Sequence, residues 1–188
     1  MGDSDLAAWT GVAVGAVAIV GSLIGVMLQV HKQSVLSAAT LVSDLLAEFN
    51  SPGFAVRRKR CAELLAAHLL GEDVTLVGNT GYGVFGMFEH IAYLVKRGAL
   101  DRDMVWNKFG WEMVGYYVCV TSPPNLLEQL RVNHRDNTLY EHFEWFALKM
   151  IQRYRSRKTP VYDERGQLTW LEAFLQEESS LGALHDRV

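Results

Sequence analysis

With 18 Lys and Arg against 21 Asp and Glu in 188 residues, the chain has a formal net charge of -3. That balance gives no global basic field, so it excludes a bulk electrostatic nucleic-acid binder, and no nucleic-acid partner is expected. Two cysteines, Cys61 and Cys119, form no metal or redox spacing, and four prolines without repeats or low-complexity tracts argue for a compact body.

The chain opens on an apolar run. Leu6 to Val30 holds no charged residue and is bracketed by Asp5 and His31. A helix of about 20 apolar residues spans a bilayer, so this run predicts one transmembrane helix over residues 6–30, after a short extracytoplasmic N-terminus at 1–5. Lys and Arg are absent before the run, while Lys32 and the cluster Arg57 to Arg60 follow it. The positive-inside rule then places the N-terminus outside and the C-terminal domain in the cytoplasm, as a single-pass protein of the cytoplasmic (inner) membrane. An acidic start and a long apolar core distinguish the run from a cleaved signal peptide, and Leu6 breaks the myristoylation pattern.

Within that run, Ala8, Gly11, Gly15, Ala18, Ser22, Gly25 and Gln29 recur at alternating steps of three and four, along one helix face. Small residues let two backbones approach closely in lipid, and Gln29 can hydrogen-bond across such a pair. The seam Gly11, Gly15, Ala18, Ser22, Gly25 and Gln29 therefore predicts self-association or packing on another membrane protein's helix. No ionisable residue lies in the run, which argues against an aqueous pore.

Val35, Ala38, Ala39, Val42, Leu45, Leu46 and Phe49 continue a helical period, giving a stalk helix over 31–50. The remainder, 51–188, reads as a cytoplasmic helical bundle. Ser51-Pro52 starts one helix, which ends at Leu70-Gly71. Gly78 to Gly86 reads as a loop, followed by a helix over roughly 84–97 that stops at Gly98. Asp101 caps the next helix, and Ser122-Pro123-Pro124 separates it from a short one ending near Val132. Thr138 with Glu141, and Thr169 with Glu172, have capping-box spacing for two further helices. The predicted fold is all-α, packed around the aromatic segments near Trp111 and Trp145.

Three stretches carry a family resemblance. They are Phe49-Asn50-Ser51-Pro52 with the run Arg57 to Arg60, Phe85 to Gly98, and Leu139 to Trp145. With the N-terminal anchor, they resemble the DUF4760 family, mainly bacterial proteins of unknown function, over most of Leu41 to Ile151. The resemblance implies the helical fold and the membrane tether, and no activity. The chain departs from the family pattern at Glu89-His90, where two acidic residues are expected.

Three constellations bear on chemistry. Gly81-Tyr82-Gly83-Val84-Phe85-Gly86 spells G-x-G-x-x-G after the β-prone Val74 to Val77, but a dinucleotide fold needs several parallel strands and the flanking segments read as helices. Glu89, His90, Glu141, His142 and Glu144 are a possible polar cluster for metal or acid-base work, set against a reading as charged helix faces. None has a standard metal-ligand spacing, and neither a metal nor another cofactor is expected. Arg57, Arg58, Lys59 and Arg60 are a possible lipid or partner contact, set against a solvated face with ion pairs to residues such as Glu63. The leading functional reading is a membrane-anchored interaction or assembly module, self-associating or part of a membrane complex, with membrane lipid as a partner. Alternatives are a membrane-active effector or accessory subunit in bacterial stress or phage defence, and an enzyme built on the Glu/His group.

Overall fold

The computed structural model describes residues 22, 26–30, 32–33, 35–72, 74, 79–156 and 167–181, and among them there is no strand. The fold is all-α, as the period of the apolar residues predicts. The chain divides into two units, Met1–Leu41 and Val42–Val188.

In the first unit the described residues from 22 to 41 are helical. Among the described residues, no helix is long and apolar enough to cross a membrane. Most of the predicted span lies outside them, including Gly11, Gly15, Ala18 and Gly25 of the seam. Ser22 and Gln29 are described, and both are helical and exposed.

The second unit holds the core. Helix α1, residues 35–49, ends inside this unit, where Val42, Leu45 and Phe49 are buried. It is followed by α2 (Pro52–Leu69), α3 (Asn79–Lys96), α4 (Arg102–Thr121), α5 (Leu126–His134), α6 (Glu141–Ser156) and α7 (Gln167–Ser180). Helix α2 packs on α3 and α7, while α6 packs on α3 and α4.

Several boundaries follow directly from local chemistry. Ser51 Oγ accepts the Phe54 N–H at 3.3 Å, with Pro52 at the first helical position. Gly71 and Gly98, at φ +84° and +72°, end α2 and α3 in left-handed caps. The N–H of Glu72 reaches Ala67 O at 3.0 Å and that of Ala99 reaches Leu94 O at 2.9 Å, which completes a Schellman motif at each end. Asp101 Oδ1 accepts the Met104 N–H at 2.8 Å and Asn125 Oδ1 the Glu128 N–H at 3.0 Å, starting α4 and α5.

Three expectations are corrected. Helix α3 begins at Asn79, so Gly81, Gly83 and Gly86 lie within a helix and form no phosphate-binding loop. Each interior glycine costs a helix about 1 kcal/mol. Burial of Val84, Phe85, Met87 and Phe88 outweighs that propensity and carries the helix toward the N-terminus. The Thr138–Glu141 capping box does not form: Thr138 donates its N–H and hydroxyl to Asp136 Oδ1, at 2.9 and 2.6 Å. Helix α7 starts at Gln167, so Thr169 lies inside it and does not precede it.

The core is centred on phenylalanines and one tyrosine. Phe49, Phe54, Phe85, Phe88, Phe109, Tyr116, Phe143, Phe146 and Phe174 are almost wholly buried. Phe49 meets Phe109 edge-on at 5.5 Å, and Phe88 stacks with Phe143 at 5.4 Å. Trp111 and Trp145, expected at the centre, are only half-buried. Their indoles flank the core, Trp111 against Trp170 at 4.7 Å and Trp145 against Phe146 at 5.8 Å.

Candidate functional site

The predicted Glu/His group divides in two. In α3, Glu89 reaches the start of α6. Its Oε2 accepts the Phe143 N–H at 2.8 Å, and its Oε1 lies 3.3 Å from the His142 nitrogen and 2.6 Å from His142 Nδ1. This carboxylate does the work assigned to Thr138, satisfying N–H groups at a helix start from another helix and complementing the helix dipole. His142 also meets Tyr93 edge-on at 5.4 Å and lies 3.5 Å from Glu141 Oε1. Glu141 is exposed and lies 4.0 Å from Lys96.

Glu144 belongs to a second group. Its Oε2 accepts Arg131 Nη2 at 2.7 Å and its Oε1 accepts the Tyr117 hydroxyl at 3.3 Å, which ties α6 to α5 and α4. Arg131 Nε donates to Leu139 O at 3.1 Å, bracing the loop before α6. His90 is exposed and joins neither group. Among the described residues no set of three or more His, Cys, Asp or Glu side chains is arranged to hold a metal ion. Through these contacts both groups tie α6 to its neighbouring helices.

The basic run also divides. Arg57 is exposed and lies 5.3 Å over the Phe54 ring. Arg60 is exposed, Lys59 is half-buried, and neither pairs with Glu63 among the described residues. Arg58 departs from the expected solvated run, since it is buried at 5% exposure.

Arg58 is the centre of a buried polar site among the described residues. Its guanidinium grips Glu178 of α7 in a two-pronged pair, Nε to Oε2 at 2.9 Å and Nη2 to Oε1. Glu178 is 3% exposed. The Tyr116 hydroxyl of α4 donates to Glu178 Oε2 at 2.7 Å and lies 3.2 Å from the Arg58 carbonyl oxygen. The Phe49 ring lies under the guanidinium at 3.9 Å. One ion pair thus joins α1, α2, α4 and α7.

The electrostatics agree with a closed pair. Burial opposes the Arg58 charge, but the hydrogen bond and charge of Glu178 outweigh it, and the guanidinium pKa rises. Burial pushes the Tyr116 phenol well above its ordinary range, so it remains a donor. Nearby, burial pushes Cys119 up to about 12 and Cys61 higher still, so both remain thiols. Arg58, Tyr116 and Glu178 thus fasten α7 onto α2 and α4.

The sequence reading missed this site, although a signal for it exists. Arg58 falls four residues after Phe54 and three before Cys61, on the buried face of α2. Glu178 falls four after Phe174 and three after Leu175, on the buried face of α7. A charge at core spacing on each of two helices is the mark of a buried pair.

Beside α7 the surface is apolar. A cleft of about 710 Å³ lies between the ends of α2 and α7, lined in part by Leu69, Leu70, Pro123, Leu171 and Leu175. Leu70 is 81% exposed.

A family model described as a domain of unknown function, DUF4760, matches residues 35–150, which include Arg58, Glu89, Tyr116, His142 and Glu144 and stop before α7. No curated protein and no solved structure matches the chain.

Proposed function

This chain belongs to the DUF4760 family, and we propose that it is a membrane-anchored helical module that self-associates and holds its bundle at the cytoplasmic face as an interaction platform. The observation that carries this reading is a bare apolar helix surface. Val26, Met27, Leu28 and Val30 are helical and between 58% and 73% exposed, and Val35 and Leu36 are 51% and 68% exposed. Water disfavours such a surface by about 25 cal/mol per Å². Lipid, or the same helix of a second copy, would cover it.

The residues just before support the same assignment. Val26 to Val30 close the uncharged run that starts at Leu6, and Ser22 and Gln29 of the small-residue seam fall on helical residues. Most of the bundle's large apolar residues, by contrast, are buried around Tyr116 and the phenylalanines. Its apolar cleft beside α7 suits a docked partner.

Alkaline carbonate extraction of membranes from cells expressing the full chain tests the anchor. The protein should stay in the pellet, and removal of residues 1–30 should release a folded bundle to the supernatant. Complete extraction of the full chain would overturn the anchor.

A further inference from the structure

A second concavity lies away from the apolar cleft, between the first turns of α4 and the later turns of α6. Its volume is about 440 Å³. Arg102, Lys149 and Arg153 surround a floor of Trp106, Phe146 and Met150.

The three cations differ in how they are held. Arg153 is fixed, since it pairs with Asp103 and its guanidinium lies 4.8 Å over the Trp106 ring. Trp106 is braced in turn by Tyr154 at 4.3 Å between ring centroids. Arg102 and Lys149 are exposed and make no ion pair among the described residues. Asp103 is the one acid in the lining, so three positive charges face one negative charge in a chain whose formal net charge is -3.

The helix adds to this field. Arg102 and Asp103 stand in the first turn of the 20-residue α4, where backbone N–H groups lack intrahelical acceptors and the dipole is positive. The neighbouring Asp101 carboxylate is committed to the Met104 N–H. A concave site with one fixed arginine, two free cations and a positive helix end suits a multidentate dianion better than a single carboxylate.

We propose that this cavity binds a phosphate-bearing ligand, either a free phosphate or the headgroup of an anionic phospholipid. Arg153 supplies the preset contact, and Arg102 and Lys149 close on the remaining phosphate oxygens.

The test is calorimetric titration of the full chain in phosphatidylcholine nanodiscs, with inorganic phosphate and with dihexanoylphosphatidylglycerol as separate probes. At least one probe should bind saturably, and the R102A/K149A double variant should weaken it about tenfold or more. R102K/K149R should retain binding, and K59A/R60A, on α2, should leave it unchanged. Binding of inorganic phosphate alone assigns a soluble ligand, and binding of the phospholipid alone assigns a headgroup. Absence of saturable binding, an undiminished R102A/K149A affinity, or an equal loss in K59A/R60A would overturn the proposal.

Discussion

Glu178 illustrates how one side chain can hold a helix in place. Replacing it with Ala leaves the Arg58 guanidinium buried without its partner. Such an orphaned charge costs about 3–5 kcal/mol. E178A should therefore lower the unfolding free energy from urea titration by that amount, whereas R58M/E178L, which removes both charges, should recover most of it. Equal losses in the two variants would mean that packing, not charge pairing, fixes α7. Gly115 gives a steric counterpart. A methyl group there would sit 2.6 Å from the Phe174 ring, so G115A should cost about 1–3 kcal/mol in the same assay.

Protonation acts at the same scale. Burial raises the Glu112 carboxyl above its ordinary 4.5, with its own backbone hydrogen bond and Arg58 opposing. The folded chain thus holds this proton more tightly than the unfolded chain does. Its contribution to stability is full below 4.5 and is lost as pH rises through the raised folded value. E112Q should flatten that part of the stability profile and raise the midpoint at neutral pH, as read by thermal melts across pH. A wild-type profile superimposable on that of E112Q would contradict it. Tyr116 carries the same sign at alkaline pH, so stability should fall as pH rises past 10.0.

At the scale of elements, α6 is the informative case. Its start is set from α3, by Glu89, and not by the capping-box residues beside it. E89A should cost about 1–2 kcal/mol, as loss of a helix cap does, and E89Q, which keeps one acceptor oxygen, should cost less. Amide exchange at His142 and Phe143 should rise in E89A, and unchanged protection there would refute the cap. The comparison shows what a sequence can reveal. Ser51, Asp101, Asn125, Gly71 and Gly98 act on their own neighbours, so the helix ends that they make are legible from spacing alone. Glu89 acts across 54 residues on Phe143, and Arg58 across 120 on Glu178. Such pairings exist only once the helices are packed. Arg58 was further disguised by its cationic neighbours, of which Arg57 and Arg60 are exposed and Lys59 is half-buried while Arg58 itself is buried. The glycine-rich start of α3 failed for a related reason, because burial of Phe85 and Phe88 overrides local propensity.

At the scale of the whole molecule, the two units differ in how they treat apolar residues. Val42–Val188 buries most of its large apolar side chains and fastens its last helix with a sealed ion pair. The described part of Met1–Leu41 is helical and leaves large apolar side chains uncovered. That asymmetry is what supports the proposal that the N-terminal segment is covered by lipid or by another helix. The proposed self-association rests on the sequence pattern Gly11, Gly15, Ala18, Ser22, Gly25 and Gln29, since close backbone approach requires small residues.

Native mass spectrometry of the full chain, released from lipid nanodiscs, tests this account most directly. It predicts a defined homo-oligomer for the wild type and a shift to monomer in G15L and G25L, with the bundle still folded. A wild-type monomer in lipid, or an oligomer unaffected by either substitution, would contradict self-association through the N-terminal helix.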